Sequence, residues 1–279
     1  MKTIEFTKMH GAGNDYIYVN ADLYDIQDPA AFAREWSRPH FGIGADGLVL
    51  ISRSSCADFR MRMFNNDGSE GKMCGNASRC IAKYVYEKGL TDKTDISLET
   101  LSGIKHLSLE VVHSVVRRVK VDMGPALLAS REEVATSNGN LKDVRIAVSE
   151  QEFRGCFVNV GNPHVVIFVP DVDAIDLETV GPQIEHHPLF PERINVEFVQ
   201  KLPEGHLKMR VWERGSGITM ACGTGACATG VAACIEAVGG NSNIVEMPGG
   251  ELLIEWKGPD SHIYMTGSAE TVFEGTIKI

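Results

Sequence analysis

Hydrophobic and polar residues alternate along many short segments of this chain, whereas long helical patterns are few. Residues 58–64 alternate most strictly, with Phe59, Met61 and Met63 separated by Arg60 and Arg62. This pattern predicts a strand with one buried face. Alternating or short apolar segments predict further strands at 2–9, 16–20, 48–51, 95–100, 104–113, 115–122, 144–149, 153–160, 163–169, 194–201, 206–213, 244–248, 251–257, 261–267 and 270–278.

Helices are predicted at four places, near 29–38, 74–88, 173–186 and 222–238. Two of them begin at a cysteine that is followed by glycine, Cys74 and Cys222. The first backbone N–H groups of a helix have no partner within it, and the macrodipole is positive there. A thiolate is stabilised in that position, and a substrate carboxylate can bind beside it.

The two halves of the chain repeat one another approximately. Residues 122–125 (Asp-Met-Gly-Pro) read as a junction, and the segment after it again has many strands and one helix opened by a cysteine. Strands and helices do not alternate as in a doubly wound sheet. We therefore predict an α+β fold of two similar domains, residues 1–121 with 267–279 and residues 122–266.

Composition narrows the possible partners and cofactors. The net charge is −10 without a Lys/Arg run, which argues against nucleic acid. No apolar run approaches the ~20 residues of a membrane span, and the first residues lack a signal-peptide core, so we expect a cytoplasmic protein. Seven cysteines without a CxxC pair predict neither a disulfide framework nor a zinc site.

Polar residues of possible chemical use fall at predicted loops and strand ends. Residues 10–15 read as a polar, glycine-rich loop that contributes Asn14 to a pocket wall, with a plain turn as an equal alternative. His164 follows a proline in a predicted turn, where a surface position is favoured. Taken together, five asparagines, one arginine and one glutamate suit a small zwitterion: Asn14, Asn65, Asn76, Asn162, Asn195, Arg214 and Glu213.

Two thiols at helix starts permit proton transfer at a carbon, in which a thiolate takes a proton from one face and a thiol delivers one to the other. A helix terminus with a nearby His or Glu is expected to hold such a pair as thiolate and thiol near neutral pH. A thiol–disulfide reductase is a second possibility, although redox pairs usually form a CxxC within one element. A non-catalytic amino-acid-binding protein would need neither thiol.

Seven motifs, in order along nearly the whole chain, together resemble the diaminopimelate epimerase family. They are HGAGND (10–15), GIGAD (42–46), FNNDGSE (64–70), MCGNA (73–77), GNPH (161–164), ERGSG (213–217) and ACGTGA (221–226). The resemblance implies two pseudo-symmetric domains, each a mixed sheet wrapped around a central helix, with the active site in the cleft and often a homodimer. It also implies epimerisation of LL- to meso-2,6-diaminopimelate, in lysine and peptidoglycan synthesis, without pyridoxal phosphate or metal.

The resemblance assigns roles residue by residue. Cys74 and Cys222 become the acid/base pair, and His164 and Glu213 adjust the pKa values of the thiols. Substrate binding is assigned to Asn14, Asn65, Gly75, Asn76, Asn162, Asn195, Glu213, Arg214, Gly223 and Thr224. The chain departs at Gly47, where some members carry a substrate-contacting Gln. A proline, hydroxyproline or other amino-acid racemase of the same fold is the alternative enzyme.

Overall fold

The structure is a computed structural model that describes residues 2–128, 134, 142–149 and 151–278. The helices are α1 (Pro29–Trp36), α2 (Gly75–Glu87), α3 (Leu177–Glu185) and α4 (Gly223–Ile235), with a 3-10 turn at Pro203–Gly205. The strands up to the middle of the chain are β1 (Thr3–Gly11), β2 (Asn14–Asn20), β3 (Gly47–Arg53), β4 (Phe59–Asn65), β5 (Glu70–Gly71), β6 (Asp95–Thr100), β7 (Gly103–Val112) and β8 (Val115–Pro125). They are followed by β9 (Val144–Val148), β10 (Gln151–Asn159), β11 (Pro163–Phe168), β12 (Asn195–Lys201), β13 (His206–Glu213), β14 (Gly217–Ile218), β15 (Ser242–Met247), β16 (Gly250–Glu255), β17 (His262–Gly267) and β18 (Glu270–Lys278).

Contacts divide the chain into two compact units, residues 1–122 with 266–279 and residues 123–265. In the first unit the strands pair in the order β18–β1–β2–β3–β4–β6–β7–β8. The β2–β3 and β4–β6 pairs are parallel and the others antiparallel. Helix α1 packs Ala33 and Trp36 into an apolar core with Ile17, Leu48 and Leu50.

The second unit repeats this series of pairings. Its strands run β9–β10–β11–β12–β13–β15–β16, and the β11–β12 and β13–β15 pairs are parallel. Helix α3 follows β11, the third strand of its series, as α1 follows β2, and α4 precedes β15 as α2 precedes β6. The predicted α+β class, mostly sheet with few helices, is confirmed.

The small residues of α4 let it lie close to the sheet. A Cβ added to Gly230 would meet Ile254 Cγ2 on β16 at 2.5 Å. Such a distance is far below van der Waals contact, so only glycine fits without displacement of the helix or the strand. Among the described residues, no helix combines the length and the apolar character needed to cross a membrane.

Three details of the predicted elements were wrong. The loop predicted at 10–15 is shorter than expected: it is a tight turn between β1 and β2, the alternative given equal weight, with Ala12 (φ 55°) and Gly13 (φ 81°) both left-handed. Such a pair suits the twist of a two-residue hairpin. Helix α3 begins only at Leu177, where Asp176 caps it by accepting the N–H of Thr179. Helix α4 ends at Ile235, because Ala237 (φ 54°) turns the chain into a left-handed cap.

Candidate active site

Cys74 caps the N-terminus of α2, and the backbone places two asparagines beside it. Its Sγ accepts the N–H of Ala77 at 3.5 Å, as a capping side chain does. The thiol also donates to Asn14 Oδ1 at 3.4 Å, and Asn76 Nδ2 donates to the same oxygen at 3.3 Å. The tight turn at Ala12 and Gly13 puts Asn14 at the first position of β2. The first unit therefore brings Cys74, Asn14 and Asn76 into one cluster.

Asn65 ends β4 and is held by its own turn. Its Nδ2 donates to Ser69 Oγ at 3.0 Å, and its backbone N–H donates to the Ser69 carbonyl at 2.9 Å. The register of β3 and β4 places Gly47 opposite Asn65. A Cβ on Gly47 would lie 2.0 Å from the Phe64 carbonyl oxygen, so this backbone has no room for a glutamine side chain at position 47.

Cys222 caps α4 in the same way as Cys74 caps α2. Its Sγ accepts the N–H of Gly225 at 3.3 Å and lies 3.5 Å from Thr224 Oγ1. The Thr224 hydroxyl accepts from Asn162 Nδ2 at 3.4 Å. Gly223 and Gly75 hold the first positions of α4 and α2, where a backbone N–H has no partner within the helix.

Three further predicted residues meet near the end of β13. Asn195 bridges two elements, because its Nδ2 donates to the Pro163 carbonyl at 2.8 Å and its Oδ1 accepts the N–H of Arg214 at 2.9 Å. The Arg214 guanidinium donates to the Glu192 carbonyl at 2.9 Å. Glu213 accepts from the Thr219 hydroxyl. The second unit thus gathers these residues at one end of its central strands.

Electrostatics around Cys222 oppose the helix terminus. Burial raises the pKa of the Cys222 thiol well above its usual value, and the negative charges of Glu213 and Glu197 raise it further. Burial also raises the pKa of Glu213, although its hydrogen bonds with Thr219 and Cys222 lower it in part. Burial and the two carboxylates therefore favour the thiol form of Cys222 over the thiolate, against the effect of the helix terminus.

A family model described as diaminopimelate epimerase matches residues 6–129 and 156–272. The chain belongs to the diaminopimelate epimerase family. This match confirms the resemblance. It also confirms the predicted enzyme class, because diaminopimelate epimerases are isomerases. The diaminopimelate epimerase of Phocaeicola vulgatus is 61% identical over 277 residues, which cover 99% of each chain.

Solved structures with the same fold are more distant in sequence. A PhzF-family phenazine biosynthesis protein of Bacillus anthracis has a TM-score of 0.75, 19% identity and full coverage of both chains. A hydroxyproline epimerase of Agrobacterium vitis has a TM-score of 0.72 and 17% identity, and the match covers 99% of this chain and 92% of that one. Identities this low establish the fold alone, so the proline and hydroxyproline alternative is less supported than diaminopimelate epimerase.

His164 of this diaminopimelate epimerase family member is not the surface residue that its turn-like sequence favoured. It is the second residue of β11, its side chain is fully buried, and the strand lies between β10 and β12. Its Nε2 bonds with Asn162 Oδ1 at 3.0 Å and its Nδ1 with Glu197 Oε1 at 2.7 Å. The ring thus links the Asn162–Thr224 pair beside Cys222 to a carboxylate.

Glu197 is a candidate site residue that the sequence analysis did not include. It is fully buried on β12, and its Oε2 has no hydrogen-bond partner among the described residues. A Cβ on Gly225 would lie 2.7 Å from Glu197 Oε1 and 3.2 Å from Cys222 Sγ, which places the carboxylate close to the thiol. The available signal in the sequence was a single glutamate within the otherwise apolar segment Val196–Val199. A charge buried in such a strand needs a polar partner, so it marks a candidate site residue.

The described residues contain no group of three or more His, Cys, Asp or Glu side chains placed to hold a metal ion. The chemistry that the two clusters offer is that of thiols, amides and carboxylates. Each cluster has a cysteine at a helix start, a polar residue two positions later and an asparagine from a neighbouring strand turn. Such a set can move a proton and bind a carboxylate or an ammonium group.

Proposed function

We propose that this chain interconverts LL- and meso-2,6-diaminopimelate, with Cys74 and Cys222 as the acid/base pair. One thiolate would remove the α-proton, and the other thiol would return a proton to the opposite face of the carbon. The observation that carries the proposal is the same placement of a thiol in both units: each sulfur caps a helix and accepts a backbone N–H from its first turn. Membership of the family supplies the substrate.

The helix starts also suit the carbanion-like transition state. The α-proton of an amino acid is very weakly acidic, so developing charge at the carboxylate must be stabilised by donors that are already in place. Gly75 and Asn76 in α2, and Gly223 and Thr224 in α4, offer such N–H groups at the positive ends of the two helices. Asn14, Asn65, Asn162, Asn195, Glu213 and Arg214 would bind the rest of the zwitterion.

Glu213 has a distinct part in this scheme. The raised pKa of Cys222 favours its thiol form, which can serve directly as an acid. To act as a base it must lose its proton, and Glu213 is hydrogen-bonded to it with a pKa raised by burial. A carboxylate of raised pKa is a suitable acceptor near neutral pH. His164 would adjust the same equilibrium through Asn162 and Thr224.

The proposal extends to the setting of the enzyme. The chain would act without pyridoxal phosphate or metal, as a homodimer in the cytoplasm, on a free small molecule. We further propose that the two compact units correspond to the two domains predicted from the sequence, 1–121 with 267–279 and 122–266.

Proton NMR of LL-diaminopimelate with the purified protein in D2O, without added cofactor, tests the function. We expect deuterium at an α-carbon together with the meso isomer, and loss of both in a Cys222→Ser variant. If diaminopimelate does not exchange but proline or hydroxyproline does, the racemase alternative is favoured. Absence of exchange on all three under reducing conditions would remove the enzyme proposal.

A further inference from the structure

The side-chain amides of Asn14 and Asn76 form a hydrogen-bonded cluster beside Cys74. On one side this cluster contacts a buried guanidinium. Arg79, one turn into α2, has no exposed surface. Its Nη2 donates to Asn76 Oδ1 at 2.9 Å and its Nε to the Ser268 carbonyl at 3.0 Å. Gly11 permits this approach, because a Cβ there would lie 2.8 Å from Arg79 Nη2. The guanidinium is thus locked against the oxygen of the Asn76 amide.

At the other side the cluster ends on a carboxylate. Asp46 directly precedes β3, and its Oδ2 accepts from Asn14 Nδ2 at 2.7 Å and from the backbone N–H of Asp15 at 3.1 Å. The backbone N–H of Asp46 in turn donates to the Asp15 carbonyl at 2.8 Å. The start of the parallel β2–β3 pair therefore holds Asp46 against the nitrogen of the Asn14 amide.

The two charged ends fix the direction of every hydrogen bond between them. A guanidinium only donates and a carboxylate only accepts. Asn76 must therefore turn its oxygen to Arg79 and its nitrogen to Asn14, and Asn14 must turn its nitrogen to Asp46. The oxygen of Asn14 is left facing Cys74, where it accepts the thiol proton. The orientation of both amides follows from charge, although an amide by itself could face either way.

We propose that Asp46 and Arg79 are positioning residues that act through Asn14 and Asn76 to hold the proton on Cys74 in the ligand-free protein. An amide oxygen stabilises a thiol that donates to it and repels a thiolate. Cys74 can become a base only when this bond is broken, and Asp46 opposes the rotation of the Asn14 amide that would break it. The inference deepens the proposed function and rests on it for the meaning of the Cys74 proton.

Other ionisable groups also lie near Cys74, and their influence on its pKa must be distinguished from that of the Asn14 hydrogen bond. Tyr18 on β2 and Cys80 on α2 are buried and interact electrostatically with it. Charged or titratable groups on the neighbouring segments include Lys8, Asp15, Asp46, Arg79 and Glu270, together with Glu5 and His10 on β1, Lys83 and Glu87 on α2 and Glu274 on β18. Lys8 pairs with Asp15 at 2.7 Å, so that carboxylate is partly neutralised.

The test measures the pH dependence of Cys74 alkylation by iodoacetamide in the ligand-free, full-length protein, with peptide mass spectrometry as the readout. Exposed Cys56 reports the intrinsic pH dependence of the reagent, and buried Cys80 reports unfolding, because it is labelled only if the fold opens. Asn14→Leu removes the acceptor without a change of charge. We expect it to lower the apparent pKa of Cys74 by about 0.5–1 unit, the value of one net hydrogen bond.

Asp46→Ala should lower the pKa of Cys74 by a similar amount, and it should add nothing in the Asn14→Leu background. An effect of its charge alone would instead persist in that background. Asp15→Ala is the matched control, since it removes a neighbouring carboxylate that has no bond to the Asn14 side chain. Arg79→Lys, which keeps the charge and alters the geometry, should behave as Asp46→Ala does, with a smaller shift.

Three results would overturn the inference: an unchanged pKa of Cys74 in Asn14→Leu, an Asp46→Ala shift that survives in the double variant, or equal shifts for Asp15→Ala and Asp46→Ala. None of these depends on turnover. Failure of the epimerase assay with the expected alkylation pattern would therefore reject the function and leave the proton arrangement intact.

Discussion

Replacement of Glu197 by glutamine should lower the pKa of Cys222 by about 1–2 units. Glutamine keeps the size of the side chain and one oxygen for His164, but it removes a negative charge from the buried surroundings of the thiol. A thiolate is destabilised by nearby negative charge, so loss of that charge favours ionisation and the pKa falls. The acidic limb of any activity that needs Cys222 as a base should move to lower pH by the same amount.

The magnitude follows from the geometry around Gly225. Glu197 Oε1 and Cys222 Sγ lie 2.7 and 3.2 Å from the point where a Cβ on Gly225 would sit, so the two atoms are within about 6 Å of each other. At an effective dielectric constant near 20, unit charges at that distance interact by about 3 kcal/mol, or about 2 pKa units. A positive charge on the His164 ring, which contacts Glu197, would offset part of this interaction energy. Glu213 acts more strongly on Cys222 than Glu197 does, so Glu213→Gln should give the larger shift.

The pKa of Cys222 can be read from the Cβ chemical shift of protein labelled with 13C at the cysteine Cβ, with the resonance assigned by its absence in Cys222→Ser. Glu204→Gln changes the net charge by the same amount at an exposed site of the same unit and serves as the control. A change of less than about 0.3 unit in the pKa of Cys222 in Glu197→Gln would mean that the Glu197–His164 pair exerts no net charge effect on the thiol. The stated cause of the raised pKa would then be wrong.

Three further predictions concern catalysis and stability. Cys222→Ser should lose epimerisation by at least about a hundredfold in kcat, since a positioned acid or base contributes ~10²–10⁴-fold, and retained turnover would exclude the two-base scheme. Gly230→Ala should lower the free energy of unfolding by about 1–3 kcal/mol in urea, because its methyl group meets Ile254, whereas Gly240→Ala, which points into open space, should lower it far less. Hydrogen bonds from Lys93 and Ser97 lower the pKa of Asp58 to about 2, so its charged form stabilises the fold above the unfolded pKa and this stability is lost as pH falls toward 2. Asp58→Asn should therefore cost about 1–2 kcal/mol at pH 7 and little at pH 2, and an equal cost at both pH values would contradict this assignment.

Local signals were sufficient for part of the site. Cys74 and Cys222 could be placed at helix starts because a helix is capped by residues within a few positions of its first turn, and both caps are observed. The strict alternation at 58–64 likewise predicted β4. The catalytic and substrate-binding roles of these and the other site residues stay predictions until the experiments above are done.

What the sequence could not supply depends on pairings distant along the chain. His164 and Glu197 meet only because β11 and β12 are parallel and His164 pairs with Asn195. That register, rather than the local Pro-His dipeptide, buries the ring. The strands β5 and β14 have only two residues each, too few for any periodicity. The raised pKa of Cys222 could not be predicted either, because Glu197, one of the two carboxylates that raise it, lies 25 positions away in the chain.

The pairing of β1 with β18 has a consequence for the order of folding during synthesis. Thr3 pairs with Lys278 and His10 with Glu270, so the first unit needs a strand that follows the whole second unit in the chain. The second unit is continuous from 123 to 265 and can close as soon as it leaves the ribosome. The Cys74 half must wait, with one sheet edge uncovered, until residues 266–279 emerge and bring both β18 and the Ser268 carbonyl that holds Arg79. We therefore expect that, in ribosome-bound chains, the unit with Cys222 becomes resistant to proteolysis before the unit with Cys74 does. This order would hold although the unit with Cys74 is synthesised first.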